Sequence, residues 1–79
     1  MITIKVLGSG CANCKRLEAV VRQVVENEKV DAEIVKVTDF NEITTYPILS
    51  TPGLVINEKV VSSGRIPGIA EVTAWLKAA

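Results

Sequence analysis

The chain has 79 residues, 48% of them apolar, and its nine Lys plus Arg are balanced by nine Asp plus Glu. A chain this short buries only around 60 to 65% of the surface it exposes when unfolded, so a single domain over residues 1–79 with one modest aliphatic core is expected. The apolar content argues against disorder, and the mixed, scattered charge excludes the basic stripe needed to neutralise nucleic-acid phosphates.

In chain order, "ITIKVL" (2–7) sets Ile2, Ile4 and Val6 against Thr3 and Lys5 with the period of a strand, ending at Gly8. From Ala12 to about Asn27, apolar side chains recur at Leu17, Val20, Val21, Val24 and Val25, the spacing of a helix that lays one stripe on a core. "VDAEIVKV" (30–37) reads as a second strand with Ile34, Val35 and Val37 inward. "TDFNEITTY" (38–46) opens on a Thr38 or Asp39 cap and allows one or two helical turns before Pro47. "PILSTPG" is a loop. "LVI" (54–56) and "VVS" (60–62) flank "NEK" as a tight hairpin, although Glu58 stands where Gly is favoured. "PGIAEVTAWLKAA" (67–79) is expected to be a closing helix that starts with Pro67 in its first turn and repeats Ile69, Val72 and Leu76.

The predicted order is β-α-β-α-β-β-α. Its first two strands are joined through a helix and therefore parallel, and its last two form an antiparallel hairpin. This is an α/β fold with a four-stranded mixed sheet covered by helices.

The only two cysteines, Cys11 and Cys14, lie in "GSGCANC" between the first strand and the first helix. The N-terminal segment lacks the apolar stretch of a signal peptide, and no run reaches the roughly 20 apolar residues of a membrane span. A soluble cytoplasmic protein without a membrane partner is therefore expected, in a compartment where persistent structural disulfides are uncommon. A staple across so short a loop also gains little chain entropy. With Cys11 at the helix start and Cys14 one turn inside, the sulfurs can bond while Cys11 alone faces solvent. The helix N-terminus favours a thiolate on Cys11, making it the nucleophile, with Lys15 and Arg16 as minor electrostatic support. Cys14 is then the resolving thiol. Gly8 and Gly10 permit an unusual backbone path and leave Cys11 uncovered.

Other readings of this loop carry less. As a dinucleotide-binding glycine loop it has Asn13 at the third glycine position, and the chain is too small for a doubly wound sheet. A tetrahedral zinc site has no His and no third Cys to complete it, whereas two-coordinate Cu(I) stays open. A soft-metal carrier, or a redox-regulated binding module on the same thiols, is thus the alternative to catalysis.

A second motif, "STPG" (50–53), stands directly before the third strand. Together with "GSGCANC", the stretch "YPILSTPGLVINEKVVSSGRIP" and the closing helix, it resembles the thioredoxin fold over essentially the whole chain. More narrowly, it looks like the small archaeal and bacterial thioredoxin-like proteins known as redox-active disulfide proteins. The resemblance implies a protein disulfide oxidoreductase whose only redox group is the Cys11–Cys14 disulfide, with no further cofactor and no metal. It further implies a cis Thr51–Pro52 bond against the cysteines, and pairing of the Thr51 backbone with an extended substrate peptide. Thr51, Pro52 and Gly10 are the substrate-binding residues on this basis.

The implied partners are protein disulfides and, as electron donor, a thioredoxin-type reductase; a monomer is expected. There are departures. Gly10 precedes Cys11, Ala12-Asn13 separate the cysteines, and Lys5 stands where thioredoxins proper carry a buried carboxylate. Either water, Lys5 or a more distant Glu then takes the proton of Cys14, or the resolving step is slower. Arg65 and Lys15 offer only part of a glutathione site. Trp75 reads as core or core rim, and Tyr46 as a loop anchor or part of the substrate surface.

Overall fold

Alternating Val and Ile in four short runs, interrupted by one long and two shorter helical segments, fold as the periodicities demand. The computed structural model of the chain describes residues 1–8, 12–48 and 50–79. The elements are β1 (Ile2–Leu7), α1 (Ala12–Glu28), β2 (Ala32–Val37), α2 (Phe40–Ile43), β3 (Gly53–Ile56), β4 (Lys59–Ser63) and α3 (Ile69–Ala78). The sheet order is β2-β1-β3-β4, with β1 parallel to β2 and antiparallel to β3, and β3 antiparallel to β4. This is the expected four-stranded mixed sheet.

The period of two along β1 divides the core. Ile4 and Val6 point to one face, where they pack with Leu17, Val21 and Val24 of α1, Leu54 and Ile56 of β3, and Val72 and Leu76 of α3. Leu7 points to the other, where it meets Val37, Val55 and Ile43, with Tyr46 and Ile48 against them. Thus α1 and α3 cover one face and α2 with its following loop covers the other. Each fully buried aliphatic side chain contributes about 1.5–3 kcal/mol.

Local chemistry sets the ends of the elements. Asp39 caps α2, its carboxylate accepting from the Asn41 N–H at 2.9 Å. The β3–β4 turn is two residues long, with Asn57 and Glu58 both left-handed at φ 49° and 67°. Asn57 suits that region and Glu58 does not. The Asn57 N–H donates to the Thr3 carbonyl at 2.8 Å and its side chain accepts from the Thr3 N–H at 3.1 Å, which ties the hairpin to β1.

Three expectations are corrected. The second strand starts at Ala32, not at residue 30, and as an edge strand it leaves Ile34 and Val35 only half-buried. The last helix starts at Ile69. Pro67 is fully buried ahead of it, and Gly68 is an extended N-cap whose N–H donates to the Glu71 carboxylate at 3.4 Å. Ile69, on the first turn, is 49% exposed and does not join the stripe of Val72 and Leu76. Among the described residues, no helix is long and apolar enough to cross a membrane.

Candidate active site

The C-terminal end of β1 is where the two sequence motifs meet. Gly8 leaves β1 with its N–H donating to the Val37 carbonyl at 2.9 Å, which holds the strand end against β2. Cys14, on the first turn of α1, is 5% exposed and rests its sulfur on Gly8. A Cβ at Gly8 would overlap that sulfur, lie 3.3 Å from the Cys14 Cβ and 4.0 Å from the Thr51 Cβ. Gly8 is therefore glycine because a sulfur occupies the place of its side chain. Its backbone is not left-handed, so close approach of the sulfur, not a positive φ, is what calls for glycine here.

The loop before β3 is seated with equal care. The Thr51–Pro52 peptide bond is cis, Pro52 is buried and Thr51 is exposed. The Gly64 N–H donates to the Pro52 carbonyl at 2.9 Å. Gly64 has φ 72°, and a Cβ there would collide with the Ser50 hydroxyl oxygen. Gly53 is close-packed to a lesser degree, since a Cβ would lie 3.1 Å from Ile48 Cδ1 and 3.3 Å from Leu7 Cδ1. Gly64 thus supports the loop as well as ending β4. Beside Thr51 runs an apolar groove of about 330 Å³ lined by Phe40, Ile43, Thr44, Ile48 and Ser50, in which Phe40 is 74% exposed.

Of the residues singled out in the sequence, Cys14, Thr51 and Pro52 are brought together here. Cys11 and Gly10 lie outside the described residues. Lys15 is exposed and borders a small cavity next to Cys14, whereas Arg16 is exposed and does not line that cavity. Tyr46 is an anchor, half-buried against the Leu7 cluster. Trp75 is half-buried at the rim of the larger cluster. Arg65 is paired bidentately with Glu71 at 2.7 and 3.2 Å.

Lys5 is removed from candidacy as the base for Cys14. It shares the face of Leu7, across the sheet from α1, and its ammonium donates to the Tyr46 hydroxyl at 2.8 Å and to Glu58 at 2.5 Å. Those two bonds, Glu58 first, hold its pKa above the ordinary lysine value, while the same ammonium holds Glu58 below the usual carboxylate range. Sequence reasoning overlooked the groups that do face Cys14. Val6, Gly8, Lys15, Glu18, Lys36 and Thr38 enclose with it a cavity of about 70 Å³. The i,i+4 spacing of Cys14 and Glu18 on a helix was the available signal. Among the described residues, no group of three or more His, Cys, Asp or Glu is placed to hold a metal ion.

Residues 2–77 match the model of the thioredoxin domain family. The chain belongs to the thioredoxin family. A thioredoxin of Methanocaldococcus jannaschii is 40% identical over 77 residues, covering 98% of this chain and 88% of its own. One of Methanothermobacter thermautotrophicus is 32% identical over 72 residues, covering 91% and 94%. The crystal structure of the germline-specific thioredoxin Deadhead of Drosophila melanogaster shares the fold. Its TM-score is 0.67 at 19% identity, over 98% of this chain and 79% of that one. As a member of the thioredoxin family the protein is a thiol–disulfide oxidoreductase acting on protein disulfides.

Proposed function

We propose that the protein reduces protein disulfides by dithiol exchange through Cys11 and Cys14, as a single thioredoxin-like domain over residues 1–79 in the cytoplasm. The observation that carries this reading is the convergence of the Cys14 sulfur, Gly8 and Thr51 at the end of β1. The Cys11 thiolate attacks one sulfur of a substrate disulfide, forms a mixed disulfide and expels the other substrate sulfur as a thiolate, which takes a proton from solvent. Cys14, losing its proton, then attacks the Cys11 sulfur. The Cys11–Cys14 disulfide forms and the second substrate thiolate leaves. The substrate gains two electrons from the protein thiols, and its two departing thiolates take their protons from solvent. A thioredoxin-type reductase restores the dithiol, and no cofactor beyond the disulfide itself takes part.

Thr51 offers its backbone to an extended substrate segment, Pro52 shapes the surface on which that segment lies, and Gly10 keeps the approach to Cys11 open. Lys15 and Arg16 add a weak, salt-screened positive field. Side chains flanking the target disulfide settle in the groove beside Phe40 and Ile48.

The test is dithiothreitol-coupled reduction of insulin, which the protein accelerates, combined with trapping. Cys14→Ser accumulates mixed disulfides through Cys11. Trapping by Cys11→Ser instead would reverse the two roles. Tight stoichiometric Cu(I) binding by the reduced protein without reductase activity would replace the enzyme by a metal carrier.

A further inference from the structure

The resolving thiol is buried, and a buried thiol resists ionisation, so the proton of Cys14 needs a route out. β1 supplies none, because Lys5 is engaged on the opposite face. The cavity on the α1 face differs. Glu18 lies one turn beyond Cys14 on α1, with its side chain 15% exposed. It is held from two sides, by Arg22 at 2.8 Å and by Lys36 at 3.1 Å. Lys36 stands opposite Val6 in the β1–β2 register, which turns it to the same face. The cavity that Cys14 and Glu18 share, about 70 Å³, has room for water, since roughly 10–15 Å³ of such space admits one molecule.

We propose that Glu18 is the group that accepts the proton of Cys14 in the resolving step, through water held in this cavity. The inference rests on the reading of Cys14 as the resolving thiol. As the Cys14 sulfur bonds to the Cys11 sulfur, its proton passes to the water and a proton of that water passes to the Glu18 carboxylate. The S–S bond to the substrate breaks with the electron pair on the departing sulfur. Glu18 returns the proton to solvent at the open rim.

The charged and polar groups facing Cys14 suit this. Among the described residues, Lys15 and Glu18 come from α1, Lys36 from β2 with Thr38 just after it, Val6 from β1 with Gly8 just beyond its end, and Thr51 from the loop before β3. Arg22 and Lys36 hold the Glu18 carboxyl below the usual carboxylate range, so it enters the resolving step unprotonated. The same pairing makes it a weak base that passes the proton on to solvent instead of retaining it, and the two cations offset its repulsion of a forming thiolate.

The experiment mixes the reduced protein with equimolar 5,5′-dithiobis(2-nitrobenzoate) in a stopped-flow instrument between pH 6 and pH 8. The first thionitrobenzoate reports formation of the mixed disulfide and the second reports resolution. Wild type releases two equivalents and Cys14→Ser one; any other stoichiometry overturns the dithiol reading, and this inference with it. Given that stoichiometry, Glu18→Gln slows the second phase alone by about 10²-fold, the low end of what a positioned proton acceptor contributes. Its rate rises about tenfold per pH unit, as expected for attack limited by hydroxide, whereas the wild-type second phase is nearly flat. Glu18→Asp, which keeps the carboxylate, restores the flat profile. A Glu18→Gln second phase with wild-type rate and slope, or equal slowing of both phases, would refute the role.

Discussion

Replacing Gly8 by Ala tests the contact on which the site is built. The added Cβ would occupy the position of the Cys14 sulfur and also press on the Cys14 Cβ at 3.3 Å. Ordinary carbon contacts lie at about 3.5–4.0 Å, so sulfur or strand must move by roughly an ångström. Neither is free to do so cheaply. The Gly8 N–H is bonded to the Val37 carbonyl at 2.9 Å, and Leu17, on the next turn of α1, is fully buried.

Overpacking of this kind costs about 1–3 kcal/mol, offset by about 0.4–1 kcal/mol from the stiffer unfolded chain, for a net loss of about 1.3 kcal/mol at the midpoints of the two ranges. For a domain of this size that lowers Tm by about 5–10 °C. Thermal unfolding by circular dichroism measures it, and the thionitrobenzoate assay measures the second effect, a slowed resolving phase because Cys14 no longer sits against the strand end. A Gly8→Ala variant that melts at or above the wild-type temperature and resolves at the wild-type rate would show that the sulfur does not depend on this glycine.

The Gly64 and Glu58 turns yield further expectations. Gly64→Ala loses about 2–5 kcal/mol, about 1–2 from its left-handed φ and about 1–3 from collision with the Ser50 oxygen. In Ser50→Ala/Gly64→Ala only the backbone share, about 1–2 kcal/mol, remains, so a urea-denaturation double-mutant cycle should show coupling, and strict additivity would contradict the geometry. Glu58→Gln breaks the charge pair with Lys5 while leaving the turn unchanged in size. Because the folded Glu58 carboxyl is held low, the pair's contribution is full above the usual carboxylate range and fades as pH falls through the lowered folded value. The urea midpoint of wild type should exceed that of Glu58→Gln at pH 7, and the gap should shrink as the pH is lowered below the usual carboxylate range and narrow in 1 M salt; a gap unchanged by acid would assign the effect to the turn instead.

Where pattern and local chemistry agree, the fold was readable in advance. Alternation in "ITIKVL", the stripe Leu17–Val21–Val24 and the Asp39 cap are short-range signals, and each element formed within a few residues of its expected bounds. The misplacements arise where burial overrules a local preference. Pro67 suits a helix start but is buried as a core plug instead, so the helix waits for Gly68 and Ile69. The hairpin keeps a two-residue turn despite Glu58, with Asn57 tied to Thr3 and the Glu58 carboxylate to Lys5.

By itself the sequence determined the order of elements, the parallel and antiparallel pairings, the pairing of a Cys-x-x-Cys with a Thr-Pro loop, and the family. These rest on spacing along one chain, which needs no knowledge of what lies across the sheet. The tertiary structure decided what faces Cys14. Sheet alternation sends Lys5 to the far side, the β1–β2 register brings Lys36 alongside Val6, and one helical turn sets Glu18 beside the thiol. Such a cluster joins residues from separate elements, and only packing fixes which of their side chains share a face.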